Sequence, residues 1–500
     1  MLNATINKIV IAGGGTSGWM LAAALSKLQG KDRYDITLIE SEAIGSIGVG
    51  EATIPNIQLY TEFLGIDESN FLKKTQGTYK LGIKFIDWTR KGESYFHPFG
   101  GIGAPLNGID FIHYWLRHRE EGGSSDFGVF NAETLAGREN KCSRVNSNVK
   151  ANLPNISYAY HFDAALVANY LRTYAETRGV KRVEGEIVAV EQNATTGYVE
   201  SLLLKSGEKI TGHLFLDCTG LSSFLIGKAL GSEFIDWSHW LPCDSAVVMP
   251  CESDAGPLKP YTCSTAKEYG WQWRIPLQNR IGNGYVYASQ YISDELATQS
   301  LVTSIEGKPL GEPRIIKFKS GYRKKIWDKN VIACGLSGGF LEPLESTAIY
   351  LVQSTITKLL AHLPKNNFDP YVINAFNQKI HAEYQNIRDF LIAHYKLTER
   401  NDTEFWRHCR SMELPESLKE RLGLFKASAN CNVQYAELFK EHNWFAVLIG
   451  QGLMPESYHP LADLLSKSEH KSFLSNIHSA ISERVSLLDD HRYYLNKYLG

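Results

Sequence analysis

The sequence predicts an α/β fold with a mostly helical C-terminal region. Near the N-terminus a glycine-rich turn joins an apolar strand pattern to a helical one. From about Glu345 onward apolar residues keep helical spacing and strand patterns become few. The length of 500 residues exceeds one ordinary domain. We therefore expect two regions: residues 1–345, with inserted segments at about 90–155 and 230–280, and a helical region over 346–500 that completes one shared site.

Lys8–Ala12 (KIVIA) is an apolar run that ends at glycines. Trp19 to Leu28 then shows helical spacing through Leu21, Leu25 and Leu28, and Asp35–Glu40 (DITLIE) reads as a second strand. Together these make a βαβ opening. Leu81, Ile83 and Phe85 alternate with Gly82 and Lys84, the period of a strand. The stretch from Gly92 to Asn155 is rich in Gly, Ser and Asn and predicts loops and short helices. Ala164 to Arg178 reads as a helix, and Val180 to Leu216 as several strands. Ile349, Val352, Ile356, Leu359, Leu360 and Leu363 form one helical stripe; Val372, Phe376, Ile380, Tyr384, Ile387 and Leu391 form another.

Composition excludes several classes. Lys plus Arg (52) nearly balance Asp plus Glu (54), so there is no basic footprint for nucleic acid or an acidic membrane surface. The eight cysteines form no CxxC pair, which argues against a zinc site or a dithiol motif; no metal is expected. No apolar run reaches membrane-spanning length and no secretory pattern precedes Ile9, so a cytoplasmic location is expected.

Gly13-Gly14-Gly15-Thr16-Ser17-Gly18 satisfies G-x-G-x-x-G through Gly13, Gly15 and Gly18, with Thr16 and Ser17 opening the helix. The motif alone is weak. Its context, with a strand before, a helix after and Glu40 closing the next strand 22 residues past Gly18, is specific. Such glycines let backbone approach a pyrophosphate at a helix N-terminus, and Glu40 can accept hydrogen bonds from a ribose. Two later segments, Leu216-Asp217-Cys218-Thr219-Gly220 and Val331 to Gly339, resemble the second and third contact segments of FAD-dependent monooxygenases. Leu336 stands where many of those enzymes carry Asp. With a single dinucleotide fingerprint there is no separate NAD domain, so FAD is expected to arrive already reduced.

Three further segments narrow the reading. Gly270-Trp271-Gln272-Trp273-Arg274-Ile275-Pro276 contains W-x-W-x-I-P. Phe340 to Thr347 reads F-L-E-P-L-E-S-T, and Gly48 to Pro55 reads G-V-G-E-A-T-I-P. In this order, and with the fingerprint, they resemble the flavin-dependent tryptophan halogenases from about Ile9 to Pro370, and more loosely beyond. The resemblance implies an FAD-binding, monooxygenase-like fold. It also implies an oxidoreductase that uses FADH2 and oxygen to convert chloride or bromide to hypohalous acid and so halogenates an aromatic. Gly48, Val49, Leu336 and Ile349 join the first turn as cofactor contacts.

The same resemblance assigns Lys80 and Glu345 as catalytic and Thr347 and Ala348 as halide contacts. Many relatives have glycine where Ala348 sits, a change that a backbone donor tolerates. Lysine and glutamate would meet at the end of a dry channel, with Trp271 and Trp273 walling off the flavin. Read without the family, Lys80 is a solvated lysine at a strand start, Glu345 a carboxylate complementing a helix dipole, and the two tryptophans core residues.

His97 and Phe99 match positions that stack on indole, where ordinary packing is an equal alternative. Trp444 lies in the segment Tyr435 to Gly452, which does not align with the clamp that tryptophan halogenases use for a free amino acid. The resemblance is therefore to the branch acting on indole or a larger aromatic. A separate NAD(P)H-dependent flavin reductase and a small aromatic substrate are the expected partners, and a homodimer is left open. An FAD-dependent aromatic hydroxylase and a flavin-binding protein without turnover are the competing classes.

Overall fold

The computed structural model of the chain describes residues 5–27, 34–42, 50–144, 155–253 and 256–500. It divides into two compact units that interleave along the sequence. The first comprises residues 1–77, 162–244 and 317–385, the second 78–161, 245–316 and 386–500. A single cut after Glu345 falls inside the first unit, and the division itself falls within the helix Pro370–Lys396. Segment 90–155 belongs to the second unit, while 230–280 is shared at residue 244.

The first unit is built on a six-stranded sheet. Its order is Trp327–Asp328, Val331–Ala333, Leu214–Asp217, Lys8–Ala12, Asp35–Glu40 and Lys181–Glu184. The last five strands run parallel, pairing Ala12 with Asp217 and Asp217 with Ala333. Helix Thr16–Lys27 packs on the strands Lys8–Ala12 and Asp35–Glu40, and helix Ala164–Glu176 packs on that helix in turn, both helical as expected from their periodicity. The N-terminal strand reads as a continuous apolar run because both of its faces are covered: Ile9, Ile11 and Ala12 are wholly buried.

An eight-stranded sheet frames the second unit. Within it Ser245–Val248, Arg280–Tyr287, Gly270–Pro276, Thr262–Lys267, Gly82–Ile86 and Ser94–Pro98 follow one another. The strand Ser94–Pro98 lies in a stretch expected to be loops and short helices. It pairs antiparallel with Gly82–Ile86, and its Tyr95 ring stacks on the opposite Phe85 at 4.9 Å. Cross-strand aromatic pairing outweighs the terminal proline there. The helices expected nearby are Phe111–Glu120 and Ala132–Arg138. Trp88, Tyr395 and Trp406 form an aromatic core, with Trp88 5.3 Å from Tyr395 and 5.6 Å from Trp406.

From Ala348 onward the chain is helical almost throughout, ending in Lys467–Ser486 and His491–Leu499. Among the described residues no helix is long and apolar enough to cross a membrane, and no cluster of ligating side chains could hold a metal ion.

Candidate active site

In the first unit three glycine turns follow three neighbouring parallel strands at their carboxyl ends, the place where open α/β sheets bind ligands. Gly13 has φ 109°, and a Cβ there would lie 2.2 Å from the Cys218 carbonyl oxygen. A Cβ on Gly18 would lie 1.9 Å from the Gly13 carbonyl, so the helix packs against the turn at a distance only glycine allows. A Cβ on Gly15 would meet no side chain or other segment within 4 Å, which leaves the helix N-terminus open to an incoming phosphate.

Glu40 closes its strand against Gly14. It accepts from Trp19 Nε1 at 3.1 Å and is paired with Arg182 and Arg172. Thr16 Oγ1 donates to Ala164 O at 3.4 Å. Gly220, in the second turn, is also open, and Gly335 of the third turn crosses above Ser17. Leu336 is half-buried in that third turn, and Ile349 is buried in the first turn of helix Ala348–His362. The open cradle, the glutamate and the two flanking turns fit an FAD. Gly48 and Val49 lie outside the described residues.

Asp217 turns inward. Its carboxylate accepts from Thr219 N and Oγ1, Leu225 N and Ile226 N, and so fixes the turn after the second strand.

Glu345 is 1% exposed and ends the 3-10 turn Pro343–Glu345. Ser346 follows in the left-handed region at φ 59°, a conformation that costs a non-glycine residue about 1 kcal/mol or more. This kink sets Thr347 at the N-cap of helix Ala348–His362. The Thr347 side chain makes no cap hydrogen bond, and its buried Oγ1 has no partner among the described residues. A helix N-terminus and an unpartnered hydroxyl together suit an anion.

Lys80 belongs to the second unit, at the end of the strand Thr78–Lys80. It has no exposed surface, and its Nζ lies 5.0 Å from the Phe99 ring centroid, within cation–π range. A solvated lysine is thereby ruled out. Thr78 and Lys80 share one face of the strand. Thr78 Oγ1 donates to Pro276 O at 2.7 Å, so the end of W-x-W-x-I-P anchors the lysine strand. Because that proton is committed, His161 Nδ1 must donate to Thr78 Oγ1 at 3.0 Å. His161 Nε2 faces Thr262 Oγ1 at 2.9 Å. Burial, with Lys80 and His491 adding repulsion, holds His161 well below its ordinary pKa, so this ring is neutral.

The aromatic residues take several settings. His97 packs 5.5 Å from Phe390 and receives a hydrogen-bond contact from Asn443 Nδ2 at 3.1 Å. Phe99 is half-buried beside Lys80. Trp271 is 1% exposed and sits 6.0 Å from Trp273 and 6.5 Å from Trp88, as part of the core. Trp273 crosses Gly284, and its buried Nε1 has no partner among the described residues. Trp444 is fully buried edge-on to Phe390, under the Arg421 guanidinium at 4.6 Å. The sequence reading missed His161, Thr262 and His491. The only sequence signal was the aromatic alternation of Tyr158, Tyr160 and Phe162 around His161.

Titration of buried and half-buried groups shapes the expected pH dependence of stability. Burial lowers His491 to about 4, and lowers His113 to about 4 with help from His459. His442 falls to about 4 through burial, His97 and Lys440. With His161 these four rings are neutral when folded. Their contribution is complete above the unfolded value of 6.5 and is lost as pH falls toward 4. A fully buried ring contributes up to about 3 kcal/mol this way. Burial raises Glu51 and Glu133 to about 7. Their contribution is complete below 4.5 and is lost as pH rises through 7. Below pH 6.5 the lowered histidines, with His118 and His381 added to these four, outnumber the raised carboxyls, to which burial adds Asp217; above it the carboxyls act. Unfolding free energy should therefore climb from about pH 4.5 to about 6.5 and then decline slightly. A flat urea-denaturation profile over the lower interval would contradict this balance.

The family model described as Tryptophan halogenase matches residues 8–467. The tryptophan 6-halogenase SttH of Streptomyces toxytricini is 35% identical, over 97% of this chain and 96% of the relative. The solved structure of Xcc4156, a flavin-dependent halogenase from Xanthomonas campestris, superposes with a TM-score of 0.95 at 43% identity, covering 99% of both chains. BrvH, a flavin-dependent halogenase from Brevundimonas sp. BAL3, gives a TM-score of 0.94 at 39% identity, again with 99% of both covered. Flavin-dependent halogenases use FADH2 with a halide ion as co-substrate, and generally need a separate flavin reductase and an aromatic substrate. With its open glycine turns and its buried lysine, this chain is an enzyme and belongs to the tryptophan halogenase family.

Proposed function

We propose that the enzyme halogenates an electron-rich aromatic of the indole type with chloride or bromide, through hypohalous acid passed to Lys80. The carrying observation is a lysine with no exposed surface beside an aromatic ring. An amine withdrawn from water can hold a reactive electrophile that open solvent would consume.

Gly13, Gly15, Thr16, Ser17, Gly18, Glu40, Leu336 and Ile349 hold FAD in this reading, with Gly48 and Val49. FAD bound there, having arrived already reduced by a separate NAD(P)H-dependent reductase, would pass two electrons to oxygen and so supply the oxidant that converts halide to hypohalous acid. The Thr347 hydroxyl and the Ala348 amide hold the halide. At Lys80 an N–H either hydrogen-bonds hypohalous acid or exchanges its hydrogen for halogen, releasing water. The halogen then passes to an aromatic carbon, the ring loses its proton and the amine recovers its hydrogen. Glu345 takes the ring proton or polarises the electrophile. Trp271 and Trp273 keep substrate and water from the flavin, and His97, Phe99 and Trp444 shape the aromatic side. A cytoplasmic setting suits eight buried cysteines.

Free tryptophan fits less well than a neutral aromatic. Glu437, the acidic residue of the segment Tyr435 to Gly452 that is best buried, is 5% exposed. It already accepts from Arg421 Nη1 and Nη2, each at 2.8 Å, leaving it committed against a substrate ammonium. Mass spectrometry over indoles, phenols and free tryptophan, with reductase, FAD and either halide, tests the reading. A bromine or chlorine isotope pattern on a non-amino-acid aromatic is expected. An oxygen-atom mass gain unaffected by halide would make the enzyme a hydroxylase.

A further inference from the structure

The lysine strand is the edge of a three-stranded sheet, and its middle amide is capped by a histidine from the far end of the chain. Thr78, Tyr79 and Lys80 pair antiparallel with His161, Tyr160 and Ala159 on one side only. On the open side the Tyr79 amide donates to His491 Nε2 at 3.2 Å. The other ring nitrogen, Nδ1, lies 3.1 Å from Leu258 O, which only accepts, so Nδ1 carries the proton and Nε2 is a lone-pair acceptor. The ring thus occupies the position a neighbouring strand would take. An unpaired buried amide costs about 1–3 kcal/mol, so this acceptor holds the strand in register.

His491 is itself fixed. It is wholly buried and opens helix His491–Leu499, and its own amide donates to Asn140 O at 3.0 Å. Arg492 Nη2 donates to Gly256 O at 3.0 Å, and the Tyr79 ring meets Tyr494 at 6.0 Å. Two residues past Tyr79, just beyond the strand, the Leu81 amide donates to Pro260 O at 2.7 Å. Lys80 is therefore carried between two fixed amides, one of them held by the C-terminal helix.

We propose that His491 is a positioning residue for Lys80: the C-terminal helix sets where the amine stands and so decides how much hypohalous acid reaches substrate rather than escaping. This rests on the assignment of Lys80 as the group that carries the electrophile. Displacing a reacting group slightly costs rate out of proportion to the bond lost.

The test measures halogenated product against free hypohalous acid captured by an added 1,3-diketone, because unbound reduced FAD also consumes oxygen. Protein that is merely less folded lowers product and captured acid together and leaves their ratio alone. His491→Phe keeps the ring shape without an acceptor. His491→Asn retains a donor for Leu258 and falls short of Tyr79. His491→Gln restores an amide oxygen near the Nε2 position. His491→Phe and His491→Asn are expected to lower the ratio about tenfold, with FAD affinity kept and captured acid increased. His491→Gln should return to within about threefold of the parent enzyme. If His491→Phe does not fold, the Asn and Gln pair decides alone. An unchanged ratio in His491→Asn overturns the inference. Lys80→Ala run in parallel separates the two ideas, since continued halogenation there defeats the lysine assignment itself.

Discussion

Replacing Lys80 with alanine is expected to abolish halogenated product, a loss of at least about a thousandfold, or ~4 kcal/mol of transition-state stabilisation. Oxygen consumption with reduced FAD should continue. The residues that fit the cofactor lie in the first unit, and Lys80 lies in the second. The substitution removes an amine from a closed apolar setting, where Phe99 is 5.0 Å away and Thr78 is tied to Pro276. Nothing else named in that setting is a primary amine, so no neighbour inherits the role. Lys80→Arg should fail almost as fully, because a guanidinium is a weak nucleophile and stays charged. Oxygen uptake, mass-spectrometric product and captured hypohalous acid, measured together, check the result. Product formed at a tenth of the parent rate or more would remove Lys80 from the chemistry.

The nucleotide half of this enzyme was legible because its signals are local. Gly13, Gly15 and Gly18 sit in one turn, and Glu40 ends the next strand. The parallel order of three strands then brings Gly220 and Gly335 to the same edge, although neither position announces its neighbour in sequence. Burial of Lys80 was not legible. A lysine opening an alternating pattern looks solvated until Phe99, Thr78 and His161 are placed around it. His491 lies 412 residues from its partner Tyr79, and no periodicity connects them. The interleaving of the two units was hidden for the same reason. Gly82–Ile86 and Thr262–Lys267 are adjacent parallel strands, but the chain between them enters the other unit and returns. Asp217 shows the converse. Its D-x-T-G setting reads as a cofactor-contact segment, whereas its carboxylate serves the backbone of Thr219, Leu225 and Ile226.

Glu345→Gln should lower halogenation about a hundredfold or more, the range lost when a positioned acid–base group is removed. FAD binding and oxygen uptake should change little. The two roles open to Glu345 predict different results. A carboxylate that only complemented the dipole of helix Ala348–His362 would contribute about 0.3–1 kcal/mol, and its amide would reduce stability slightly without touching the ratio of product to captured acid. A group that takes a proton or polarises the electrophile cannot be replaced by a neutral amide of the same shape. The backbone favours the second role. Ser346 is held at φ 59° immediately after Glu345, and Thr347 begins the helix with its hydroxyl buried and unpartnered among the described residues. A strained residue between two buried polar ones is a structural cost that a simple cap would not require. Steady-state halogenation and thermal unfolding of the same preparation distinguish the two. A hundredfold lower rate at an unchanged melting temperature assigns Glu345 to the reaction, whereas full activity with a small loss of stability returns it to the helix.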